Sequence, residues 1–135
     1  MLFRSRLVVI APVTTGSAPA DKAAATWIVR PGLADSTCLS FESADAAGSF
    51  LRHYAFQLHL QPKDGTAQFA ADATFCAQAG NSGTGYSFRS VNFPAKFIRH
   101  YSLTGYLASN GGTNAWDTTS LWREDTSWLA AAPWN

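Results

Sequence analysis

The feature that most constrains this chain is that it repeats itself. Ser40-Phe41-Glu42-Ser43 returns 47 residues later as Ser87-Phe88-Arg89-Ser90. At the same spacing, Phe50-Leu51-Arg52-His53-Tyr54 returns as Phe97-Ile98-Arg99-His100-Tyr101. A third pair, Asp72-Ala73-Thr74-Phe75 and Asp125-Thr126-Ser127-Trp128, matches at a spacing of 53. The extra residues imply a longer loop in the later unit, and Asn110-Gly111-Gly112-Thr113-Asn114 supplies turn formers for it. Three motifs in one order define a unit that must stack on its neighbours to bury a core. Earlier in the chain the pattern thins. Ala24-Ala25-Thr26-Trp27 falls at the Asp-x-Thr-aromatic position, Arg4-Ser5-Arg6 falls near the Arg-His-Tyr strand, and the Ser-Phe-x-Ser strand would precede Met1. One domain, 1–135, is expected, with a partial repeat at about 1–36 and full repeats at about 37–83 and 84–135.

Within each unit the apolar period is that of strands. Phe50, Arg52, Tyr54, Phe56, Leu58 and Leu60 alternate with Leu51, His53, Ala55, Gln57 and His59. Turn formers punctuate the runs at Lys63-Asp64-Gly65-Thr66, Ala79-Gly80-Asn81-Ser82-Gly83 and Thr104-Gly105. No long window carries a helical period, so the chain reads as all-β. The N-terminal stretch has two readings. Arg4, Arg6, Leu7 to Ile10 and Ala18-Pro19-Ala20 resemble a secretory leader with its cleavage site. Leu7-Val8-Val9-Ile10 equally reads as a β-branched strand, and the repeat has a place for one, which favours the strand.

Composition narrows the function classes. A formal net charge of +1 with no Lys/Arg cluster gives no footprint for nucleic acid. No apolar run approaches the roughly 20 residues of a membrane-spanning helix. Five Trp, four Tyr and nine Phe suit a core, and equally suit stacking against sugar rings. Cys38 and Cys76 could be free thiols, part of a metal site or one disulfide. Without a CxxC or a nearby His pair the metal reading is disfavoured, and no metal or cofactor is expected. A disulfide is favoured, and would imply an oxidising compartment.

These motifs resemble the arabinose-binding domain of fungal and bacterial α-L-arabinofuranosidases, the family 42 carbohydrate-binding modules. The likeness extends through Thr26-Trp27-Ile28-Val29-Arg30, Asp64-Gly65-Thr66 and Ala108-Ser109-Asn110-Gly111-Gly112, over about 24–134. It implies a β-trefoil, here with its first repeat incomplete, and a disulfide between Cys38 and Cys76. It also implies a shallow arabinofuranose pocket in each complete unit. Carried onto this chain, one pocket would use His53, Tyr54, Phe56 and Asp72, with Asp72 on a strand. The other would use His100, Tyr101 and Asp125, with Phe93 as a further wall. These residue types fit a sugar pocket. A carboxylate accepts bonds from adjacent hydroxyls, an imidazole donates or accepts, and an aromatic packs on furanose carbons. In the first unit the His position falls near Ser5 and the Asp position near Ala24 or Ala25, so no pocket is expected there. Arg52 and Arg99 lie on the other strand face from the adjacent His and are expected to brace the fold.

Three function classes compete. A glycoside hydrolase needs two facing carboxylates, and Asp72 and Asp125 belong to different units. Asp35, Asp45, Asp64, Asp117 and Glu124 lie in turn-like contexts, and no G-x-S-x-G, zinc or phosphate-loop motif occurs. A lectin-like protein-interaction trefoil would show an exposed apolar patch instead of His/Asp pairs. The expectation is a secreted, monomeric, non-catalytic module that binds arabinose-substituted plant cell-wall polysaccharide, arabinoxylan or arabinan. The alternative is an accessory piece of an active α-L-arabinofuranosidase.

Overall fold

The computed structural model describes residues 2–4 and 7–134, with side chains from residue 7 onward. The strands are β1 (Leu2–Arg4), β2 (Leu7–Val9), β3 (Trp27–Pro31), β4 (Leu39–Ser43), β5 (Ser49–Tyr54), β6 (Gln57–Pro62), β7 (Phe75–Ala79), β8 (Tyr86–Ser90), β9 (Phe97–Tyr101) and β10 (Thr104–Ala108). They form one antiparallel sheet that runs β10-β6-β5-β4-β7-β8-β9 and closes on itself where β9 pairs with β10. The class is all-β. Leu7–Val9 takes the strand reading: β2 pairs with β1, β6 and β10, and Val8 is fully buried.

Pairing recurs along the chain. In the hairpins β1–β2, β5–β6 and β9–β10, Arg4 pairs with Leu7, Tyr54 with Gln57 and Tyr101 with Thr104. This register makes Leu7, Gln57 and Thr104 counterparts. Leu7 bridges His59, Gln57 bridges Tyr106 and Thr104 bridges Val9, so one step carries each second hairpin strand to the next. At their centre Val8, Leu58 and Gly105 meet. A side chain on Gly105 would stand 3.0 Å from Leu58 Cδ1 and 3.2 Å from Val8 Cγ1, which is why glycine occupies the third position. Around them lies the core of Leu51, Phe75, Ile98 and Leu107, with Trp27, Phe41, Phe56, Phe88 and Trp128 packed against it.

Polar contacts repeat as well. Ser40 Oγ donates to Ala73 O at 2.7 Å, and Ser87 Oγ to Thr126 O at 2.8 Å. Leu39 bridges Phe75 as Tyr86 bridges Trp128. Ala44 N reaches Thr26 O, and Val91 N reaches Thr74 O, both at 3.1 Å.

Each unit also contains a helix of one to two turns: α1 (Pro19–Ala24), α2 (Ala67–Asp72) and α3 (Trp122–Asp125). Sequence periodicity does not reveal them, because a single turn is too short to display a 3.6-residue period. Asp72 and Asp125 therefore end helices and do not lie on strands, a correction to the sequence reading. Thr66 caps α2, its Oγ accepting from Phe69 N at 3.1 Å. After each helix a hydroxyl bonds back one turn: Thr26 to Lys22 O, Thr74 to Ala70 O and Ser127 to Arg123 O. Cys38 and Cys76 form a disulfide that ties the start of β4 to β7. Among the described residues no helix is long and apolar enough to cross a membrane, and no group of His, Cys, Asp and Glu could hold a metal.

Candidate functional site

Two pockets open beside the ends of equivalent hairpins. The first, a cavity of about 200 Å³, is lined by His53, Tyr54, Ala55, Phe56, Gln68, Asp72 and Phe93. The second, about 340 Å³, is lined chiefly by Arg99, His100, Tyr101, Leu103, Leu121 and Asp125.

Both are built by one device. The helix places its last carboxylate between an arginine and the following histidine of the hairpin. Asp72 Oδ2 takes a short ion pair from Arg52, and its Oδ1 stands 3.5 Å from His53 Nε2. Asp125 Oδ2 lies 2.9 Å from Arg99 Nη2, and its Oδ1 is 3.6 Å from His100 Nε2. The expectation that Arg and His point apart holds for the strand but not at the carboxylate, where both converge. Both arginines brace the site: Arg99 is wholly buried and also donates to the carbonyls of Trp116 and Ser120.

The turn residues contribute the apolar wall. Ala55 and Phe56 have φ of 51° and 60°, and Ser102 and Leu103 of 47° and 62°. Two successive left-handed residues make the tight turn that suits hairpin twist, normally filled by Asn-Gly. Here Phe56 and Leu103 occupy the second position and face the pockets.

The pockets differ in one wall. Asn92 and Phe93, from the loop after β8, close on the first. Asn92 Oδ1 lies 2.9 Å from His53 Nε2, while Asn92 Nδ2 donates to Asp72 Oδ1 at 2.9 Å. The Phe93 ring meets His53 edge-on at 5.4 Å and Phe56 at 5.2 Å. Phe93 thus stands in the first pocket and not the second, where the sequence reading places it; the loop after a strand serves the preceding unit's helix. His53 is buried, and that burial pushes its imidazole below the usual histidine value, despite the opposing effects of Asn92 and Asp72. His100 remains 39% exposed in its side chain, against 5% for His53, and its ring meets Trp128 at 5.5 Å.

Every nominated residue except Phe93 falls in its expected pocket. The motifs do not pick out Gln68, Asn92, Leu103 or Leu121. Gln68 has a signal, lying one helical turn before Asp72, whose Oδ1 it reaches at 2.8 Å. In the first unit the register places Phe3 opposite Val8, at the position of His53 and His100, and Ala24 ends α1 where Asp72 and Asp125 end theirs. Ser5, expected near that histidine position, lies outside the described residues.

Residues 2–130 match the "Alpha-L-arabinofuranosidase B (ABFB) domain". A probable alpha-L-arabinofuranosidase B of Aspergillus clavatus is 51% identical over 120 residues, covering 89% of this chain and 24% of that protein. An alpha-L-arabinofuranosidase of Hypocrea jecorina is 48% identical, over 88% of this chain and 24% of its own length. A crystal structure of arabinofuranosidase complexed with arabinofuranosyl-alpha-1,2-xylobiose superposes with a TM-score of 0.94 at 43% identity, over 95% of this chain and 27% of that one. The chain spans about a quarter of the length of the curated relatives it matches. On a match that runs almost end to end, the chain belongs to the alpha-L-arabinofuranosidase B domain family, the family 42 carbohydrate-binding modules.

Proposed function

We propose that this chain is an extracellular, non-catalytic β-trefoil module that binds terminal arabinofuranose units of arabinoxylan or arabinan through the His53/Asp72 and His100/Asp125 pockets. The observation that carries the reading is the duplicated constellation, an imidazole and an arginine-held carboxylate beside an apolar turn residue, built twice on equivalent elements. Such a set suits a small neutral sugar: the carboxylate and imidazole address adjacent hydroxyls while the turn residue packs on ring carbons. The threefold pairing of β2, β6 and β10 supports the trefoil. The disulfide and the arabinofuranosidase relatives support secretion.

Each pocket is lined by a single acid, already paired with arginine, whereas glycoside hydrolysis uses two carboxylates across one bond. That favours binding over catalysis within this chain. Single sites for a monosaccharide are weak, and two on one rigid body gain by avidity on a branched polymer. The test is co-sedimentation with insoluble arabinoxylan, against cellulose and debranched xylan, for the natural chain and the His53→Ala/His100→Ala variant. Retention on arabinoxylan alone, lost in the double variant, is the expected result. Equal retention of the folded double variant would overturn the pocket assignment, and release of reducing sugar would overturn the non-catalytic reading.

A further inference from the structure

The outer face of the sheet carries one rank of side chains that runs from pocket to pocket. Tyr54 pairs with Gln57, Gln57 with Tyr106 and Tyr106 with Arg99, each directly opposite the next. Residues in direct register share a face, and the core residues Leu51, Leu58, Leu107 and Ile98 point the other way. Tyr54 lines the first pocket, while Arg99 and Tyr101 line the second. At ordinary strand spacing the two ends of the rank lie about 14 Å apart.

Aromatic stacking holds the middle of the rank. Trp116 lies flat on Tyr106, with ring centroids 4.4 Å apart and planes 9° from parallel. Tyr101 meets the same Tyr106 edge-on at 6.3 Å. Trp116 comes from the loop between β10 and α3, which is longer than its counterpart between β6 and α2. That loop is fixed from within. Its buried Asp117 accepts from Ser109 N at 2.7 Å and Asn114 N at 3.0 Å, and Arg99 Nη1 donates to Trp116 O at 2.8 Å. The Trp116 indole N–H is buried without a partner among the described residues, so the stack and no side-chain bond sets the ring's position.

We propose that Gln57, Tyr106 and Trp116 form a subsite for the polysaccharide main chain, a run of β-linked pyranose residues of the xylan type, between the pockets that take its arabinofuranose branches. The proposal rests on the function proposed above for those pockets. Place and chemistry identify the occupant. A branch seated in either pocket brings its main chain to the pocket mouth, and Tyr54 and Tyr101 lead from there onto the rank. Gln57, Tyr106 and Trp116 are half-buried, so part of each stays within reach of a ligand. Among the described residues nothing bonds to the Gln57 amide, which leaves it for sugar hydroxyls. Arg99, the one charged member of the rank, is wholly buried and paired with Asp125, so a charged polymer finds no counter-charge here. A flat pyranose lays its C–H groups on an aromatic face, and the puckered furanose main chain of arabinan does so less well. The face is open and shallow, so it adds to the hold on a seated branch and retains no unbranched chain by itself.

The test is calorimetric titration with methyl α-L-arabinofuranoside, which fills a pocket alone, and with a xylo-oligosaccharide carrying one arabinofuranose branch. The natural chain is expected to bind the oligosaccharide about tenfold more tightly, from one sugar–ring stack. Trp116→Ala should remove most of that ratio, and Gln57→Ala should lower it. The ratio is the readout because a variant that only loosens the fold weakens both ligands together. In the natural chain the Trp116 indole N–H resonance should move on addition of the oligosaccharide and stay in place on addition of the monosaccharide. A ratio unchanged by Trp116→Ala overturns the subsite and leaves the pockets standing. An equal gain for an arabinan oligosaccharide over the monosaccharide overturns the pyranose assignment. No response of the natural chain to methyl α-L-arabinofuranoside overturns the pocket reading, and this proposal with it.

Discussion

Asp125 is the only carboxylate that touches Arg99 among the described ion pairs, and Arg99 is completely buried. Asp72 plays the same part for Arg52, but Arg52 keeps 13% of its side chain in solvent. Removing the acid should therefore cost more in the later unit. Asp125→Ala is expected to destabilise by about 3 kcal/mol, since it strands a desolvated guanidinium. Asp72→Ala should cost visibly less, because Arg52 can turn outward. Urea unfolding midpoints of the two variants measure the difference, and equal losses would contradict this account.

Phe93 belongs to one pocket only. Phe93→Ala should weaken arabinose binding in the His100→Ala background and leave it unchanged in the His53→Ala background. Isothermal titration of the two double variants separates these cases.

The disulfide closes a span of 38 residues between the start of β4 and β7. The chain-entropy relation gives a stabilisation of roughly 4 kcal/mol for a loop of this size. Replacing both cysteines by alanine should lower the melting temperature by more than ten degrees, roughly, for a domain of this size. Reductant should shift the natural chain and leave the variant unmoved.

Acid should unfold the protein in two stages, the first set by histidine. Burial holds His53 below the ordinary value of 6.5, and burial does the same to His59. A base that is harder to protonate folded than unfolded takes up protons on unfolding. Its contribution is complete above the ordinary value and is lost as pH falls from there to the folded value. Denaturation midpoints should decline from pH 7 toward 5, and His53→Gln should flatten the slope, with His59 leaving a remainder. Lower down, Glu42 follows. A bond from Gly48 N and one from Arg30 hold its carboxyl below the usual range, so its contribution goes as pH falls through that lowered value.

The His/Asp pairing is what the family resemblance implies; the chain's own repeat adds that both residue types recur in each complete unit, at offsets of 47 and 53. Helices are hidden by their brevity: Thr66 and Asp64 read as turn formers, while the same residues, Thr66 Oγ on Phe69 N and Asp64 on Thr66, start α2. Phe93 goes to the wrong pocket because carrying the family's pocket over unit by unit follows chain order. The sheet instead lays each unit's entry loop against its predecessor. Asn92 is invisible for the same reason, having no counterpart at the matching offset, where Asp45 stands.

The two hairpin turns carry a trade-off between pocket shape and robustness. A phenylalanine and a leucine held at positive φ, where glycine would rest without penalty, tie up conformational free energy of order 1–3 kcal/mol per residue. Selection for thermal endurance would push Ala55-Phe56 and Ser102-Leu103 toward Asn-Gly, and each such change would strip wall from one of the two pockets. Laboratory evolution of sturdier descendants should therefore run into blunted ligand recognition first at these four positions.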